Sequence, residues 1–387
     1  MRVLIVGAGV AGMSLAHRLV DQGATVTVVE QAPGVRSGGY KVDIRGAALE
    51  VVRRMGVLDE IRARRTEIRA GSVVDASGRR VASMDGDTFG GRQHGDAEIR
   101  RGDLVRILYD LTRDGVEYVF GDSVTAVGED GAVTFASGGS RRFDLVVGAD
   151  GLHSRVRSLV FGDEKEFVHD LGYRIGVFAV PNALGLDREE MTYVGPGRTA
   201  LVYHTAGASE ATAMFLCAGE GAVPRDRAAQ ETALRDAYAH EGWEVPRLLG
   251  EMGAAPELYY DSMSQVHIDR WWRGRVVLLG DAAYCASPAS GQGTSLALVG
   301  AYVLASELAA AGDLGAGLAA YERRMRPFAE ANQKLGPANV KRMVLRSKGQ
   351  VRASMLMLRL IAKLPGRERL MATAIAPIHR AANAITL

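Results

Sequence analysis

The sequence predicts an α/β protein in which a parallel sheet is interrupted by a second sheet and followed by a helical segment. A strand, a helix and a second strand open the chain over 2–29. Two more buried, β-branched strands lie far apart, at 143–148 and 275–280, as expected for a parallel sheet whose strands are distant in sequence. Between them, residues 166–267 contain stretches in which apolar and polar residues alternate, as in β-strands. The sequence from residue 331 onward has a helical pattern and is basic.

Composition limits the function classes. The 387 residues suffice for two or three domains with a large core, and 47 basic against 45 acidic residues leave a formal charge of +2. Because the basic residues are scattered, no nucleic-acid partner is expected. Cys217 and Cys285 match neither a disulfide nor a zinc spacing, so we expect no metal and a cytoplasmic location.

Two segments resemble membrane elements. The uncharged stretch from Ala282 to Ser306 is long enough to span a bilayer, but Pro288 and several glycines interrupt its first half, which favours a buried core helix. The basic, amphipathic text of 331–387 fits either a membrane-surface helix or, as we favour, helices packed across both domains. No membrane partner is expected, and the oligomeric state is not predicted.

Local patterns predict the elements between these landmarks. Ala47 to Ile61 reads as one helix, and Asp103 to Leu111 as another. Ser72 to Met84 indicates a hairpin turning at Ser77-Gly78, and Tyr118 to Phe135 a meander. The stretches Met191–Val194 and Ala213–Cys217 alternate like strands of a separate sheet.

The first strand, Arg2 to Val6, runs into a glycine-rich turn before the first helix. Gly7, Gly9 and Gly12 form a GxGxxG pattern with Val10 and Ala11 inside it, and Glu30 ends the second strand. Such glycines allow the tight turn, the approach of a pyrophosphate and close helix packing, while the acidic residue holds ribose hydroxyls. The sequence therefore predicts a Rossmann-like dinucleotide site, but this motif alone does not separate FAD from NAD.

A second cluster follows the strand at 275–280. Asp281 leaves that strand at the sheet edge where ligands bind in open α/β sheets, placing a carboxylate within reach of a polyhydroxyl chain. Downstream, Pro288, Gly291 and Gly293 build a loop for close approach, and Thr294 opens a helix whose N-terminus favours negative charge. An ordinary N-cap aspartate is the alternative for Asp281.

Together these motifs resemble the class A flavoprotein monooxygenases, the relatives of p-hydroxybenzoate hydroxylase. The resemblance rests on three ordered segments and a later Tyr321-Glu322 with Arg326-Pro327: Gly7 to Gly12 with Glu30, Gly148-Ala149-Asp150-Gly151 with Ser154 to Arg157, and Gly280-Asp281 with Gly291-Gln292-Gly293. Within this family, the chain most resembles the hydroxylases of polyketides and antibiotics, including the tetracycline-inactivating branch.

This resemblance implies a Rossmann-like FAD-binding domain, an inserted β-sheet substrate domain and a C-terminal helical segment. The implied boundaries are 1–70, 98–163 and 268–330 for the first, 71–97 and 164–267 for the second, and 331–387 for the third. It also implies cofactor contacts, with Arg36 at the nicotinamide: Gly7, Gly9, Val10, Ala11, Gly12, Glu30, Gln31, Arg36, Asp43, Arg101, Asp150, Asp281, Pro288, Gly291, Gln292, Gly293 and Thr294. Four residues depart from frequent family choices: Gln31 for arginine, Tyr284 for histidine, Ser295 for asparagine and Gly300 for aspartate.

The implied activity is a monooxygenase that uses NAD(P)H and molecular oxygen to hydroxylate or epoxidise an aromatic or polyketide-like small molecule through a flavin C4a-hydroperoxide. The alternatives are an FAD-dependent reductase or dehydrogenase of an isoprenoid or other lipid, and a non-enzymatic flavin-binding protein. No catalytic residue is named. Strand aromatics are candidate pocket residues, each with sheet packing as its alternative: Tyr173, Tyr193, Tyr203, His204 and Phe215.

Overall fold

The computed structural model describes residues 1–36, 38–93, 95–361 and 367–387, with the side chains of 367–372 left out of the description. The strands are β1 Arg2–Val6, β2 Thr25–Glu30, β3 Lys41–Ile44, β4 Ala70–Val74, β5 Arg80–Asp85, β6 Ala97–Arg100, β7 Glu117–Phe120, β8 Val124–Val127, β9 Ala132–Phe135, β10 Ser140–Arg142, β11 Leu145–Gly148, β12 Val168–Val180, β13 Glu189–Gly195, β14 Arg198–Tyr203, β15 Ala211–Ala218, β16 Leu258–Val266, β17 Trp272–Arg273 and β18 Val276–Leu278.

The helices are α1 Val10–Asp21, α2 Ala47–Arg54, α3 Leu58–Ala63, α4 Gly86–Gly90, α5 Arg101–Thr112, α6 Arg155–Val160, α7 Arg227–Ala237, α8 Val245–Glu251, α9 Asp281–Tyr284, α10 Gly293–Ala310, α11 Leu314–Gln333, α12 Leu335–Met343, α13 Lys348–Ile361 and α14 Arg367–Ala382. Short 3₁₀ turns lie at Glu164–Glu166, Met252–Ala254 and Pro288–Ser290.

The nucleotide-type sheet has six strands in the order β17-β18-β11-β1-β2-β7. Its central strands pair in parallel, with Val6 opposite both Gly148 and Val29, so their carboxyl ends meet at one edge. These strands are almost wholly buried because α1, α5 and α10 cover them in one continuous core. Most predicted cofactor residues end or follow one of these strands or open one of these helices, whereas Asp43 lies in β3 of a two-stranded sheet formed with β6, and Pro288 begins a 3₁₀ turn.

A second sheet of seven strands has the order β16-β12-β15-β14-β13-β4-β5. One face packs on α7 and α8 and holds Phe178, Phe215 and Tyr193. The opposite face, which we call the inner face, turns Tyr173 and the neighbouring apolar side chains toward Ala289 in the Pro288–Ser290 turn. The inner face therefore meets the loop that follows the nucleotide-type sheet.

Most predicted elements are present, with two corrections. The hairpin at 72–84 is confirmed as β4 and β5, whose turn is closed by a hydrogen bond from the Asp75 N–H to the Arg79 carbonyl. The predicted single helix over 47–61 is wrong, because Gly56 adopts a positive φ of 75° and divides α2 from α3. The predicted meander over 118–135 is also wrong at its start, because β7 pairs in parallel with β2 and only β8 and β9 form the hairpin.

The C-terminal helices contact the seven-stranded sheet, the Pro288–Ser290 turn and neighbouring helices. Helix α12 packs on the Pro288–Ser290 turn, α13 on β5 and β13, and α14 on α4 and α11. Helix α10 is apolar and long enough to cross a membrane, yet 56% of that window is buried, and the helix packs against α1 and α11 as a core helix. On strand membership we propose the domain boundaries given above, with 71–97 and 164–267 forming the substrate domain.

Candidate cofactor and substrate site

The glycine-rich turn after β1 is built by close backbone contacts. Gly7 has a positive φ of 107°, and a Cβ there would lie 2.5 Å from the Ala149 carbonyl oxygen. A Cβ on Gly12 would overlap the Gly7 carbonyl oxygen. These two positions need glycine for folding, as the predicted roles of a tight turn and close helix packing require.

Gly9 differs from the other two glycines of the motif, Gly7 and Gly12. Its φ is −88°, and a Cβ built there would find no atom within 4 Å. Gly9 is also the N-cap of α1, whose first turn carries no acidic residue and no side-chain cap. The open space and the uncapped helix N-terminus together suit a bound pyrophosphate.

Glu30 holds the turn from the neighbouring strand. One carboxylate oxygen, Oε2, accepts the Ala8 N–H at 3.0 Å, and Oε1 accepts the Ala32 N–H at 2.9 Å. Arg36 lies 3.6 Å from Oε1 with 55% of its side chain exposed, and Gln31 is exposed beside it. The three residues thus line the outer end of the nucleotide cleft.

The segment after β11 is tied to the glycine turn and to α9. Asp150 accepts the Ser154 hydroxyl at 2.5 Å and the Val156 N–H at 3.0 Å, which fixes the start of α6, while burial raises the pKa of its carboxyl. Arg157 is fully buried and donates to the carbonyls of Ala282 at 3.0 Å and Leu152 at 2.6 Å. Arg157 therefore positions the backbone beside Asp281.

Asp281 reaches the same cleft from β18. Gly280 before it has a φ of 66°, and a Cβ there would lie 3.0 Å from the Ala11 side chain. Part of the Asp281 side chain faces solvent, but protein atoms crowd around the carboxyl group. The resulting desolvation raises the pKa of the carboxyl group, while the positive charge of Arg101 acts to lower it. Arg101 opens α5 and donates its backbone N–H to the Tyr40 carbonyl at 3.1 Å.

The loop 288–294 closes the cleft below Asp281. Gly291 has a φ of 64°, and a Cβ on Gly293 would lie 3.9 Å from Asp281 Oδ1. The first N–H groups of α10 begin here with no side-chain cap. Pro288 starts the turn, and Thr294 lies in the first turn of the helix.

Several buried polar atoms near this loop lack partners among the described residues. Both amide atoms of Gln292 are buried without a hydrogen bond, and so are Asp43 Oδ1 and Arg45 Nε. Asp43 Oδ2 pairs with Arg45 at 2.9 Å, and the Ser295 hydroxyl accepts the Arg45 N–H at 3.3 Å. Buried polar groups normally find a partner, so these atoms are suited to a polar ligand or water.

Two tyrosines face each other across the opening of the cleft. The rings of Tyr40 and Tyr259 lie 5.8 Å apart, and Tyr259 is 38% exposed. Burial raises the pKa of the Tyr40 phenol to about 12 and that of Tyr259 well above its usual value, so both stay neutral. Sequence patterns did not single out this pair, since Tyr40 lies just before β3 and Tyr259 lies in β16, far away in the chain.

The family comparison decides the identity of this arrangement. The model for the FAD binding domain matches residues 1–335 of the chain. A flavin-dependent monooxygenase from an unknown prokaryotic organism is 38% identical over 340 residues, covering 87% of this chain and 88% of the relative. The chain belongs to the FAD-dependent monooxygenases. An uncharacterised protein of Mycobacterium tuberculosis (strain ATCC 25618 / H37Rv) is 45% identical over 346 residues, covering 87% of this chain and 93% of its own length.

A solved structure shares the whole architecture. The tetracycline destructase Tet(51) superposes with a TM-score of 0.86 at 33% identity, covering 100% of this chain and 98% of that one. The predicted fold class, FAD cofactor and FAD-dependent monooxygenase activity are confirmed. The cleft also fits FAD by its own chemistry, with open space above Gly9, free helix N-termini and unpartnered polar atoms at Asp43 and Gln292.

Two of the family departures compensate for each other. Tyr284 is buried, and its hydroxyl lies 3.2 Å from that of Tyr321. A Cβ on Gly300 would overlap the Tyr284 hydroxyl. Tyr284 therefore fits only because residue 300 on the neighbouring helix is glycine.

The candidate pocket aromatics divide between the two faces of the seven-stranded sheet. Tyr173 and Tyr203 lie on the inner face, with Tyr203 under the Lys41 ammonium at 5.2 Å from the ring centroid. Tyr193 and Phe215 pack on the opposite face, so sheet packing, the alternative given above, holds for these two. His204 lies within hydrogen-bond distance of the Ala208 carbonyl, at 3.0 Å, in the turn after β14.

The inner face is bordered by a cluster of charged side chains that the sequence did not predict. Lys41 Nζ lies 3.0 Å from Glu98 and 2.8 Å from Glu190, and Arg92 lies 2.6 Å from Glu98. The two carboxylates raise the pKa of Lys41 against the desolvation that opposes its charge. Because cations and carboxylates pair within the cluster, it links β3, β6 and β13 without presenting a net unpaired charge to the cleft.

Proposed function

We propose that this enzyme uses NAD(P)H and oxygen to hydroxylate, or epoxidise, a neutral aromatic or polyketide-like small molecule. The observation that carries the proposal is the meeting of the apolar inner face with the 288–294 loop at Ala289. A ligand at the exposed edge of that face, where the rings of Tyr40 and Tyr259 lie, would be beside the ring of a cofactor held by the loop. Water-poor surroundings of this kind protect reactive oxygen chemistry from hydrolysis and decay.

The cofactor roles follow from the positions of the side chains. The N–H groups at Val10 and Ala11 and the open space at Gly9 would receive the pyrophosphate, and Glu30 the ribose. Asp281 would accept hydrogen bonds from the ribityl chain. When bound, FAD supplies the hydride acceptor and the activation of oxygen that no amino acid side chain provides.

Arg101 and the N-terminus of α10 would stabilise negative charge at the flavin ring. Asp43 and the Gln292 amide offer the unpartnered polar atoms that such a ligand would satisfy. Gln31 and Pro288 would contact the cofactor from the two ends of the cleft, and Asp150 would act from beneath the glycine turn.

Arg36 is proposed as the contact for the nicotinamide cofactor. It stands at the outer end of the cleft with more than half of its side chain exposed, so a transient ligand can reach it. A second dinucleotide fingerprint was not found in the sequence, which suits a nicotinamide cofactor that binds briefly and leaves.

The substrate class rests on the inner face. Its side chains near Ala289, including Ile175, Val177 and Leu216, are apolar and packed against Val340 of α12, so a substrate would meet this face at its exposed edge, where Tyr259 lies. A charged substrate would lose hydration on these largely apolar surroundings. The name of the tetracycline destructase relative supports a polycyclic class, while a less polar molecule suits this face better.

The test is turnover with a panel of neutral aromatic polyketides, with tetracycline, a zwitterion, as a charged comparison. We expect NADPH or NADH oxidation to quicken with the correct substrate and the product to gain one oxygen atom by mass spectrometry. Nicotinamide oxidation that yields only hydrogen peroxide with every member would contradict the proposed substrate class. We also propose a cytoplasmic location, supported by two buried free thiols, Cys217 and Cys285, which suit a reducing compartment.

A further inference from the structure

The loop from Cys285 to Gly291 carries backbone strain next to the proposed flavin ring. Ser287 has a positive φ of 73° although it is not glycine, and Gly291 follows with 64°. Such conformations persist only where the surrounding structure holds them, and they concentrate at functional sites. The residues that hold this loop therefore bear on the reaction.

Two buried glutamines bind the first part of the loop. Gln333 donates from Nε2 to the Val266 carbonyl at 2.7 Å and to the Cys285 carbonyl at 3.4 Å. Gln265 donates from Nε2 to the Gln333 carbonyl at 2.6 Å and to the Ala286 carbonyl at 3.3 Å. Their exposures are 7% and 5%, so water does not compete for these bonds.

A third amide binds the second part. Asn339 donates from Nδ2 to the Ala289 carbonyl at 3.1 Å. Between the two attachment points, Gly336 lies so close that a Cβ would be 2.8 Å from the Ala286 carbonyl oxygen and 2.9 Å from Gln265 Nε2. The junction of α11 and α12 is thus seated directly on the loop.

The direction of these bonds leaves the ligand side of the loop free. All three amides donate to loop carbonyls, at 285, 286 and 289. The next N–H groups, at the start of α10 from Gly293 onward, are the ones that an α-helix leaves without intrahelical partners. They lie beside Asp281, since a Cβ on Gly293 would be 3.9 Å from its carboxylate.

We propose that Gln265, Gln333 and Asn339 form an amide clamp that positions the loop and the N-terminus of α10 for the flavin ring. The three are positioning residues, because none reaches the cleft itself. The clamp makes the C-terminal helices part of the oxygenation site. It rests on the proposed function in one respect, namely that the loop receives the flavin.

The test compares Gln333→Leu, Gln333→Glu and Asn339→Ala with a matched control, Gln230→Leu. Gln230 also donates from Nε2 to a backbone carbonyl, that of Pro224 at 2.8 Å, but it lies on α7 behind the seven-stranded sheet. Gln333→Leu removes both N–H donors, whereas Gln333→Glu keeps the side-chain volume and retains at most one O–H donor, when its carboxyl group is protonated. Asn339→Ala places a stronger helix former in α12 and so tests the clamp where folding is least at risk.

The first readout is amide hydrogen exchange of the cofactor-free protein over residues 284–296, well below the melting temperature. We expect faster exchange there in all three clamp variants and not in Gln230→Leu. The second set of readouts is the FAD dissociation constant, the visible spectrum of the bound flavin, and kcat separated from KM. Loss of positioning predicts a kcat lower by ~10- to 100-fold with a smaller change in substrate KM.

Three results would overturn the clamp: unchanged loop exchange in the variants, a Gln333→Leu protein that matches the wild type, or a fall in melting temperature alone with an unaltered flavin spectrum. Failure of the proposed function looks different. A wild-type protein that takes up no FAD would refute the cofactor site, while the exchange measurement on the cofactor-free protein would still decide whether the amides hold the loop.

Discussion

Replacing Gly9 with alanine separates cofactor binding from folding. The added Cβ meets no atom within 4 Å, and a φ of −88° suits alanine. Alanine makes the unfolded chain less flexible than glycine does, which stabilises the fold by ~0.4–1 kcal/mol. Alanine is also a slightly poorer N-cap than glycine, so the two effects oppose each other and the free energy of unfolding changes by less than about 1 kcal/mol. The same Cβ occupies the space of the pyrophosphate, and losing even one charged hydrogen bond costs ~1.5–3 kcal/mol. The FAD dissociation constant then rises by about 10- to 150-fold.

Gly12→Ala is the matched control within the same turn. Its Cβ would overlap the Gly7 carbonyl oxygen and lie 3.1 Å from Ile5 Cγ2. Overpacking of this kind costs ~1–3 kcal/mol of stability, so the cofactor-free protein should melt earlier. Thermal melts without FAD and fluorescence titrations with FAD measure both effects. Normal FAD affinity in Gly9→Ala, or an equal loss of cofactor-free stability in the two variants, would refute the reasoning.

Three further predictions concern charge. Because burial raises the pKa of Asp281 and hydroxyl donors favour its ionised form, FAD affinity should fall as the pH drops, and Asp281→Asn should flatten that slope; parallel pH profiles of the two proteins would contradict this. Arg36→Ala should raise the KM for NADPH or NADH about tenfold while FAD stays bound. If stopped-flow reduction rates of the variant depend on the nicotinamide concentration just as those of the wild type do, Arg36 is an ordinary exposed arginine. Hydrogen bonding to Asp261 raises the pKa of His153 to about 9, so the stabilisation is complete below about pH 6.5 and is lost as the pH rises through 9. Since His153 is half exposed, His153→Gln should cost no more than about 1 kcal/mol at pH 6 and nothing measurable above pH 10, and an equal loss in melts at both pH values would exclude the ion pair.

The nucleotide half of the fold could be predicted from sequence because its signals are local. The glycine spacing, the β-branched strands and Glu30 each act within a few residues of where they stand. Helix boundaries were less predictable, since the break between α2 and α3 depends on one positive φ at Gly56. Strand β7 was misassigned because an alternating pattern does not reveal which sheet a strand joins.

The substrate half was less predictable because its features depend on long-range contacts. Tyr193 and Tyr203 read alike as strand aromatics, and only the pleat and the packing of α7 and α8 place them on opposite faces. The charge cluster of Lys41 and Glu190 joins residues about 150 positions apart in the chain. The compensation between Tyr284 and Gly300 likewise appears only once the helices are packed.

The central claim is that this chain transfers an oxygen atom from dioxygen to a neutral aromatic molecule bound between the inner face and the 288–294 loop. The most direct measurement is turnover under isotopically labelled dioxygen, with FAD, NADPH and the substrate that best accelerates NADPH oxidation. We expect a product carrying one labelled oxygen atom, formed one-for-one with NADPH consumed, and less product with Gly9→Ala at FAD concentrations that just saturate the wild type, in proportion to its weaker FAD binding. A product labelled from water instead, or oxidised without gaining oxygen, would contradict it.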